Sequence, residues 1–397
     1  MPRFSFFISH SPEPVTADSL IWPAPIPLRL DTLIKHEGQR PEGGKAVSHA
    51  DYFTAAQHFL EANGFEIMIR AVSRQLGRDV KAPDLKEIRI CLEKHGEFYH
   101  PSRIETVVDR KKLCFVLNVA VTKIGRRLIE REYHLLNRLN NERSLRYLPL
   151  AYGFGRTGEP NGKNFAMFLG QWFDGYHEFH ISIDPVDKKT KIMLWDKSQG
   201  RSALSIGQSQ ALYAQASHIL TAYYDLETFE QIFDWHHAAG DFVAKTQNGK
   251  LTLKLVTVRR YEALFENQQR TQTASSGPQP ILQALLIFFL NLSIHMRLDR
   301  LDGIGEMVWS DDVAVEATLT GFLEALSIKP DIASLPDSPL ACFIAFLASS
   351  TRDDLLDLSE TMVSRFNPQM PGLNVVRENL HEHVEILHRS IQQIVTI

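Results

Sequence analysis

The side chains best suited to chemistry lie in one short segment, residues 235–241. It reads Trp-His-His-Ala-Ala-Gly-Asp, so Asp241 follows a glycine and lies four residues after His237. A carboxylate can accept a proton from a substrate hydroxyl, and imidazole and carboxylate groups can also bind a transition metal. The segment therefore offers two candidate chemistries, proton transfer at Asp241 and metal binding by histidines.

Histidines elsewhere in the chain bear on the metal interpretation. His177 and His180 lie three residues apart, a spacing that shares one face of a helix, but their segment lacks a helical period. The adjacent pair His236 and His237 would point apart, so at most one of them would join a given site. A structural role for these histidines is favoured, and no metal site is predicted. A metal-dependent enzyme built on them is the weakest alternative.

The elements around residues 235–241 can be predicted from hydrophobic period. An apolar stretch from Phe229, taken as a helix, leads into Trp235, and a β-like run at Leu251–Val256 follows Asp241. Upstream, the patterns predict strands at 88–92, 104–108 and 113–121, an amphipathic helix at 126–139, and two further strands around 148–154 and 165–172. The reactive segment thus follows a β-rich region.

The two ends of the chain show different patterns. Residues 1–40 are rich in proline and predict an extended arm, and Ser48 and Asp51 provide helix-capping groups before one or two helices at 52–76, interrupted near Gly64. Beyond residue 176 the chain is mostly helical, with a flexible linker predicted at Gln268–Pro280. The apolar run Ile281–Ile294 falls short of the ~20 residues that cross a bilayer, so it predicts a buried helix.

The predicted elements follow the order of a kinase-like fold. Three antiparallel strands are followed by a helix, two more strands and then a helical region. In this order, and in the His237-to-Asp241 loop with its strand pair, the chain resembles the protein-kinase-like superfamily, particularly the aminoglycoside phosphotransferase branch. The resemblance covers roughly residues 88–261. It implies an α+β protein with a two-lobe kinase-like core. The expected parts are an N-terminal arm and helical extension at 1–84, a small antiparallel β-rich lobe at 85–175, and a mainly helical large lobe at 176–397.

The resemblance also implies roles for the reactive segment. Asp241 takes the place of the family's catalytic base, and His237 takes the place of the histidine that fixes the loop backbone. At the two metal-binding positions of the family, this chain has Thr246 in place of asparagine and Thr257 in place of the second aspartate. Threonine is a poor substitute for a hard anionic Mg²⁺ ligand.

Residues for the nucleotide follow from the same resemblance. Glu132 matches the helix glutamate that organises the small lobe, but Asn118 stands where the family has its phosphate-binding lysine. Gly96 is the one glycine of the loop 94–101, in the place of the phosphate-covering loop. Gln171 and Trp172 fit the hinge between lobes, where backbone groups would face an adenine ring.

Two functions compete on this basis. The first is a pseudokinase-like binding or scaffold protein, favoured because the charges that stabilise a transferring phosphoryl group are lost at Asn118, Thr246 and Thr257. The alternative is an ATP-dependent phosphotransferase with rearranged residues, using ATP and Mg²⁺, in which Lys94 or Lys254 contacts phosphate. A carboxylate from Asp234 or Glu262 pointing at the cleft would favour this alternative. The substrate, the cofactor and the oligomeric state stay open.

Composition limits the partners. With 44% hydrophobic and 23% charged residues the chain is typical of a globular protein, and its formal charge of -4 gives no electrostatic reason for a nucleic-acid or membrane partner. A small molecule or a protein is the expected partner. Three widely spaced cysteines, Cys91, Cys114 and Cys342, predict reduced thiols, and the first 20 residues lack the apolar core of a signal peptide. These features predict a cytoplasmic protein.

Overall fold

The chain forms two compact units, Met1–Asp174 and Gly175–Ile397. The computed structural model describes residues 2–9, 11–28, 46–96, 98–158, 162–196, 199–263 and 277–395. Residues 29–40 of the predicted arm, Glu97 of the predicted hairpin loop and residues 268–276 of the predicted linker lie outside the described part. The boundary at residue 174 lies next to the one expected between the small and large lobes.

The described part of the N-terminal unit is built on a six-stranded sheet. In chain order its elements are β1 (Arg3–Ile8), α1 (His49–Leu76), β2 (Glu87–Leu92), β3 (Ser102–Val108), β4 (Lys111–Ala120), α2 (Lys123–Glu142), β5 (Ala151–Gly158) and β6 (Asn164–Gln171). The strand order is β1-β2-β3-β4-β6-β5, with β1 parallel to β2 and the other pairs antiparallel. The residues expected to form a separate extension therefore supply the parallel edge strand and the first helix of this unit.

Local sequence signals explain where α1 begins and bends. Ser48 caps it, because its hydroxyl accepts a hydrogen bond from the Asp51 amide at 3.2 Å while the Asp51 carboxylate accepts one from the Ser48 amide at 2.7 Å. The helix is interrupted at residues 62–65, where Gly64 has a φ of 69°. Both the cap and the interruption agree with the sequence prediction.

The two faces of the sheet are covered differently. Side chains that alternate along the strands, such as Ile90, Ile104 and Phe115, are buried with residues of α1 in one apolar core. Full burial of such a side chain is worth about 1.5–3 kcal/mol. The opposite face packs against α2 through Tyr133, whose ring lies 6.2 Å from that of Phe168. The helix α2 thus stands on the face that the apolar core does not use.

The C-terminal unit begins with strands and ends with helices. Its elements are β7 (Glu178–Ile183), β8 (Thr190–Asp196), β9 (Gly200–Ala203), α3 (Ile206–Tyr223), β10 (Glu230–Phe233), β11 (Phe242–Gln247), β12 (Lys250–Leu255), β13 (Arg260–Ala263), α4 (Gln279–Arg297), β14 (Leu298–Arg300), β15 (Met307–Trp309), α5 (Val313–Ser327), α6 (Pro339–Ala348), α7 (Arg352–Ser364) and α8 (Leu373–Val395). A sheet-rich N-terminal unit and a mainly helical C-terminal unit confirm the predicted α+β class and are consistent with a two-lobe kinase-like fold.

Two local predictions in the C-terminal unit were wrong. The stretch from Phe229, expected to be helical, is the strand β10, which pairs antiparallel with β13. The three-stranded sheet β7-β8-β9 was not predicted at all. Long-range pairing therefore decides the structure of both segments.

The apolar helix α4 is the one helix in the described chain that is long and apolar enough to cross a membrane. Of its most apolar 18-residue window, 67% is buried within the protein. Its side chains include Leu285, Phe289 and Ile294, all fully buried. Core helices of globular units have this character, which agrees with the predicted buried helix.

The three cysteines are not paired with one another in the structure. Cys91 and Cys342 are buried and Cys114 is half-buried, and all three are free thiols. Cys91 lies opposite Arg103 and Cys114 opposite Glu105, on either side of β3. Residues on strands β2 and β4, with β3 between them, have Cα atoms at least roughly 9–10 Å apart. This separation is beyond the reach of a disulfide. Burial raises the pKa of both the Cys91 and Cys114 thiols.

Candidate functional site

The candidate catalytic loop, residues 235–241, connects two strand pairs. It follows β10, makes a single π-type turn over His237–Asp241 and enters β11 directly. Gly240 has a φ of 90°, a conformation that costs a residue with a side chain but not glycine. The amide of Val256 donates to the Asp241 carbonyl at 2.8 Å, so the segment after β12 runs beside Asp241.

The carboxylate of Asp241 is held by Arg259. The two guanidinium nitrogens Nη1 and Nη2 donate to Oδ2 at 2.8 Å and to Oδ1 at 2.5 Å. The His236 amide donates to the same Oδ2 at 2.8 Å, and Asp241 is 2% exposed. Bidentate arginine–carboxylate pairs are among the stronger hydrogen-bonded contacts in proteins. To accept a proton or a metal ion, Asp241 would have to lose this ion pair.

A second arginine holds the other end of the loop. Arg260 donates from Nε and Nη2 to the Asp234 carboxylate at 2.5 and 2.6 Å, and its Nη1 lies 3.5 Å from Glu262. Asp234 and Glu262 are therefore paired with Arg260, whereas one of them pointing at the cleft would have favoured the phosphotransferase alternative. The two contacts, Arg259 with Asp241 and Arg260 with Asp234, are called the arginine clamps below.

His237 is packed inside the C-terminal unit. It is fully buried, its ring lies 5.5 Å from that of Tyr213, and its Nδ1 lies 3.2 Å from Asp299 Oδ2 outside hydrogen-bonding angles. Burial lowers the pKa of His237, an effect that Asp299 partly opposes. His237 is therefore a neutral imidazole at neutral pH.

The loop backbone is fixed at Ala238 by two other side chains. The Ala238 amide donates to Asp299 Oδ2 at 2.7 Å, and His180 Nδ1 donates to the Ala238 carbonyl at 2.7 Å. Asp299 is fully buried in β14. Sequence reasoning missed Asp299. It is 61 residues from its partner, so no local pattern signals the contact.

The two threonines lie in different places relative to Asp241. Thr246 pairs with Leu251 near the far end of β11, five residues from Asp241, which is roughly 16 Å along a strand. Thr257 follows β12 in the segment that runs beside Asp241. The positions that would need oxygen anions for Mg²⁺ thus carry one distant threonine, one nearby threonine and an aspartate already paired with Arg259. This donor set does not fit Mg²⁺.

Other metals find no better site among the described residues, where no three His, Cys, Asp or Glu side chains are grouped to hold an ion. His180 makes the backbone bond described above. His177 Nε2 lies 3.5 Å from Asp196 Oδ2. The histidines singled out from the sequence are therefore engaged in separate structural contacts.

The predicted small-lobe residues lie on one face of the N-terminal sheet. Asn118 in β4 is opposite Phe168 of β6, on the face that α2 covers. Glu132 is on α2 and 1% exposed. Asn118 thus lies on the sheet face that α2 covers, and Glu132 is a buried residue of that helix.

Gly96 serves a tight turn in the β2–β3 loop. Its amide donates to the Tyr99 carbonyl at 3.0 Å, and a side-chain carbon on Gly96 would lie 2.7 Å from that carbonyl oxygen. Further along the loop, the Phe98 carbonyl would be 2.5 Å from a side-chain carbon on Gly125 in the first turn of α2. Both glycines are required by this packing within the unit.

Charged side chains occupy the same sheet face near the predicted hinge. Arg103 donates to Glu93 at 2.8 Å and to Glu105, and Glu105 also pairs with Lys112 at 2.8 Å. The Arg103 guanidinium lies 5.9 Å from the ring centre of Trp172. An apolar platform is what an adenine ring would need, and here that region carries ion pairs.

The other hinge residue, Gln171, is engaged within its own sheet. Its amide donates to the Leu150 carbonyl at 2.8 Å, and its side-chain oxygen accepts a hydrogen bond from the Leu150 amide at 3.3 Å. These bonds join the end of β6 to the segment that precedes β5. Whether Gln171 faces a ligand stays a prediction.

Comparison with known proteins gives limited information. No protein-family model matches the chain. No curated protein matches it. Among solved structures, WaaP in complex with acyl carrier protein aligns with 81% of this chain and 95% of that chain, at 12% sequence identity and a TM-score of 0.27. Nothing about the fold or the function of this chain is inferred from this similarity.

Proposed function

We propose that this protein is a kinase-like binding or scaffold protein that has lost metal-dependent phosphotransfer. The observation that carries the proposal is the Arg259–Asp241 ion pair, in which a guanidinium neutralises the carboxylate that the family would use as its base. Phosphotransfer depends on charges that meet the phosphoryl group in the transition state. In this loop the charges neutralise each other.

The expected partner is a small molecule or another protein. Three free thiols support a cytoplasmic location, where cysteines stay reduced. The ion pairs of Arg103, Glu93 and Glu105 argue against a standard adenine site, since an adenine ring would have to displace or stack on charged groups.

A second candidate is an ATP-dependent phosphotransferase with rearranged residues that uses ATP and Mg²⁺. Glu132 favours it, because this carboxylate is buried on α2, the helix that covers the sheet face of Asn118. Lys94 or Lys254 would then supply the cation that Asn118 lacks. Asp241 would act as a base only after separation from Arg259.

A thermal-shift titration distinguishes the two candidates. ATP and ADP, each with and without Mg²⁺, are added to the wild type and to Asp241→Asn. A nucleotide at 100 times its Kd stabilises a protein by about 2.7 kcal/mol, or roughly 3 °C or more in Tm for a chain of this length. We expect no Mg²⁺-dependent shift in the wild type. A shift of that size that disappears in Asp241→Asn would overturn the proposal in favour of the phosphotransferase.

A rebuilt variant serves as the positive control. Thr257→Asp with Arg259→Ala places a carboxylate beside Asp241 and removes the competing guanidinium. If the two residues are what excludes the metal, this variant should gain a Mg²⁺-dependent shift that the wild type lacks. Arg260→Ala, which leaves the Asp241 pair intact, should behave as the wild type does.

A further inference from the structure

Three histidines from separate segments meet in the N-terminal unit. His49 lies in the first turn of α1, and His95 and His100 lie in the β2–β3 loop. The Nδ1 atoms of His95 and His100 are 3.1 Å apart, and their ring centres are 5.2 Å apart. The His49 ring lies 6.2 Å from that of His95. This group, called the histidine cluster, is distinct from the loop that carries Asp241.

The contact between the two Nδ1 atoms holds only if no more than one of these two nitrogens carries a proton. At 3.1 Å one nitrogen must donate and the other must accept, so the contact holds when one proton lies between the two nitrogens. A second proton would make both nitrogens donors and would place two positive charges against each other. The contact is therefore stable only while at least one of the two imidazoles is neutral.

The surroundings favour the neutral state. His100 is 3% exposed, and burial together with its two neighbouring imidazoles lowers its pKa to about 4. Burial and His49 lower the pKa of His95. Among the described residues, the ionisable groups acting on this pair are the histidines themselves, on α1 and on the loop. The nearby Tyr52 phenol stays neutral because burial raises its pKa.

The cluster links several parts of the unit. His49 Nδ1 donates to the Ala24 carbonyl of the N-terminal arm at 2.9 Å. The Tyr52 hydroxyl donates to the His100 carbonyl at 2.7 Å, and the His100 amide donates to the Val119 carbonyl at 2.8 Å. Between His95 and His100, the Phe98 carbonyl packs on Gly125 in α2. The loop is thus held against α1, β4 and α2 at once.

We propose that the histidine cluster is a proton-sensitive latch that holds the β2–β3 loop on α1 and α2 and releases it when the His95–His100 pair takes up a second proton. Loop release would free the first turn of α2, the helix that carries Glu132. The proposal does not depend on whether the protein transfers phosphate.

Hydrogen exchange on the full chain tests the latch. Amide exchange is measured at pH 7.5 and 5.0 and corrected for the intrinsic effect of pH. We expect amides of the loop at 94–101 to exchange at least tenfold faster at pH 5.0, while amides of α1 at 52–60 keep their protection. Equal corrected rates at the two pH values, or a loss of protection that extends equally through α1, would overturn the proposal.

Matched variants separate the latch from general acid sensitivity. His95→Asn keeps a hydrogen-bonding side chain that cannot become charged, so the pH response of the loop should be smaller than in the wild type, with the remainder due to buried His100. His58→Asn, at an exposed histidine of α1, should keep it. Gly125→Ala displaces the Phe98 carbonyl without touching a histidine and should raise loop exchange equally at both pH values. A full pH response in His95→Asn would contradict the proposal.

Discussion

The two loops that the kinase-like resemblance singles out are held by different chemistry. Loop 235–241 is held by the arginine clamps, which are charged bidentate contacts. Loop 94–101 is held by the neutral pair His95 and His100. Guanidinium keeps its charge at all physiological pH values, whereas imidazole changes charge between pH 5 and 8. The arginine clamps of the first loop should therefore keep their charges over this pH range, and the His95–His100 contact of the second loop should respond to it.

The comparison also bears on function. In the C-terminal unit, the Arg259 guanidinium and the Asp241 carboxylate neutralise each other. In the N-terminal unit, the loop expected to cover phosphates is packed on α2 through Gly125. Each loop uses its polar groups for contacts within its own unit.

The largest expected effect is that of Arg259→Ala. It leaves the Asp241 carboxylate, 2% exposed, without its cation, and an uncompensated buried charge costs about 3–5 kcal/mol in the free energy of unfolding. Urea denaturation at pH 7 measures this loss. The double variant Asp241→Ala with Arg259→Ala should be less destabilised than the sum of the two single variants. Additive losses would show that the pair is not coupled.

Next in size is a pH effect from the N-terminal unit. The pKa of His100 is about 4 in the folded protein, against an ordinary value of 6.5. The unfolded chain therefore binds more protons between these values, so stability is full above about pH 6.5 and falls as the pH drops toward about 4. Urea denaturation across this range should show a shallower fall for His100→Asn than for the wild type. Parallel profiles would contradict the burial of a neutral His100.

Asp299→Ala should have a moderate effect. It removes the acceptor of the buried Ala238 amide, and an unsatisfied buried donor costs about 1–3 kcal/mol. Hydrogen exchange in residues 236–241 should increase along with the loss of stability. Asp299→Asn keeps an acceptor oxygen and should lose less. If both variants match the wild type, Asp299 does not hold the loop.

The smallest expected effect is that of Arg260→Ala. Its pair with Asp234 resembles the pair of Arg259, but the two side chains are 43% and 52% exposed. Exposed ion pairs contribute about 0–1 kcal/mol. A denaturation curve close to that of the wild type would show that the larger contribution of the Arg259 contact to stability comes from its burial and not from bidentate geometry alone. A loss of stability as large as that of Arg259→Ala would show that the buried and the exposed ion pair do not differ in their contribution.

The sequence was most informative where local chemistry decides the structure. The Ser48 cap, the break at Gly64 and the strands β2, β3 and β4 follow from turn residues and from apolar period, and they appear as predicted. The helix α2 begins at Lys123, three residues before the predicted start, since Thr122 provides the cap. Such features depend on neighbours within a few residues.

Contacts between distant residues could not be predicted in the same way. Arg259 was visible in the sequence, but its pairing with Asp241 depends on how the segment after β12 lies beside the loop. Asp299 and His180 reach Ala238 from 61 and 58 residues away. The strand β10 has an apolar composition that suits a helix equally well, and its pairing with β13 decides the outcome. Which loop groups stay available for chemistry depends on these contacts.

The central claim is that Asp241, paired with Arg259, does not assemble a metal–nucleotide site. The most direct measurement is a titration of the wild-type protein into Mn²⁺ and ATP, with free Mn²⁺ followed by electron paramagnetic resonance. The account predicts that added protein leaves free Mn²⁺ at the level set by ATP alone. A saturable decrease in free Mn²⁺ with wild-type protein that is lost in Asp241→Asn would contradict it.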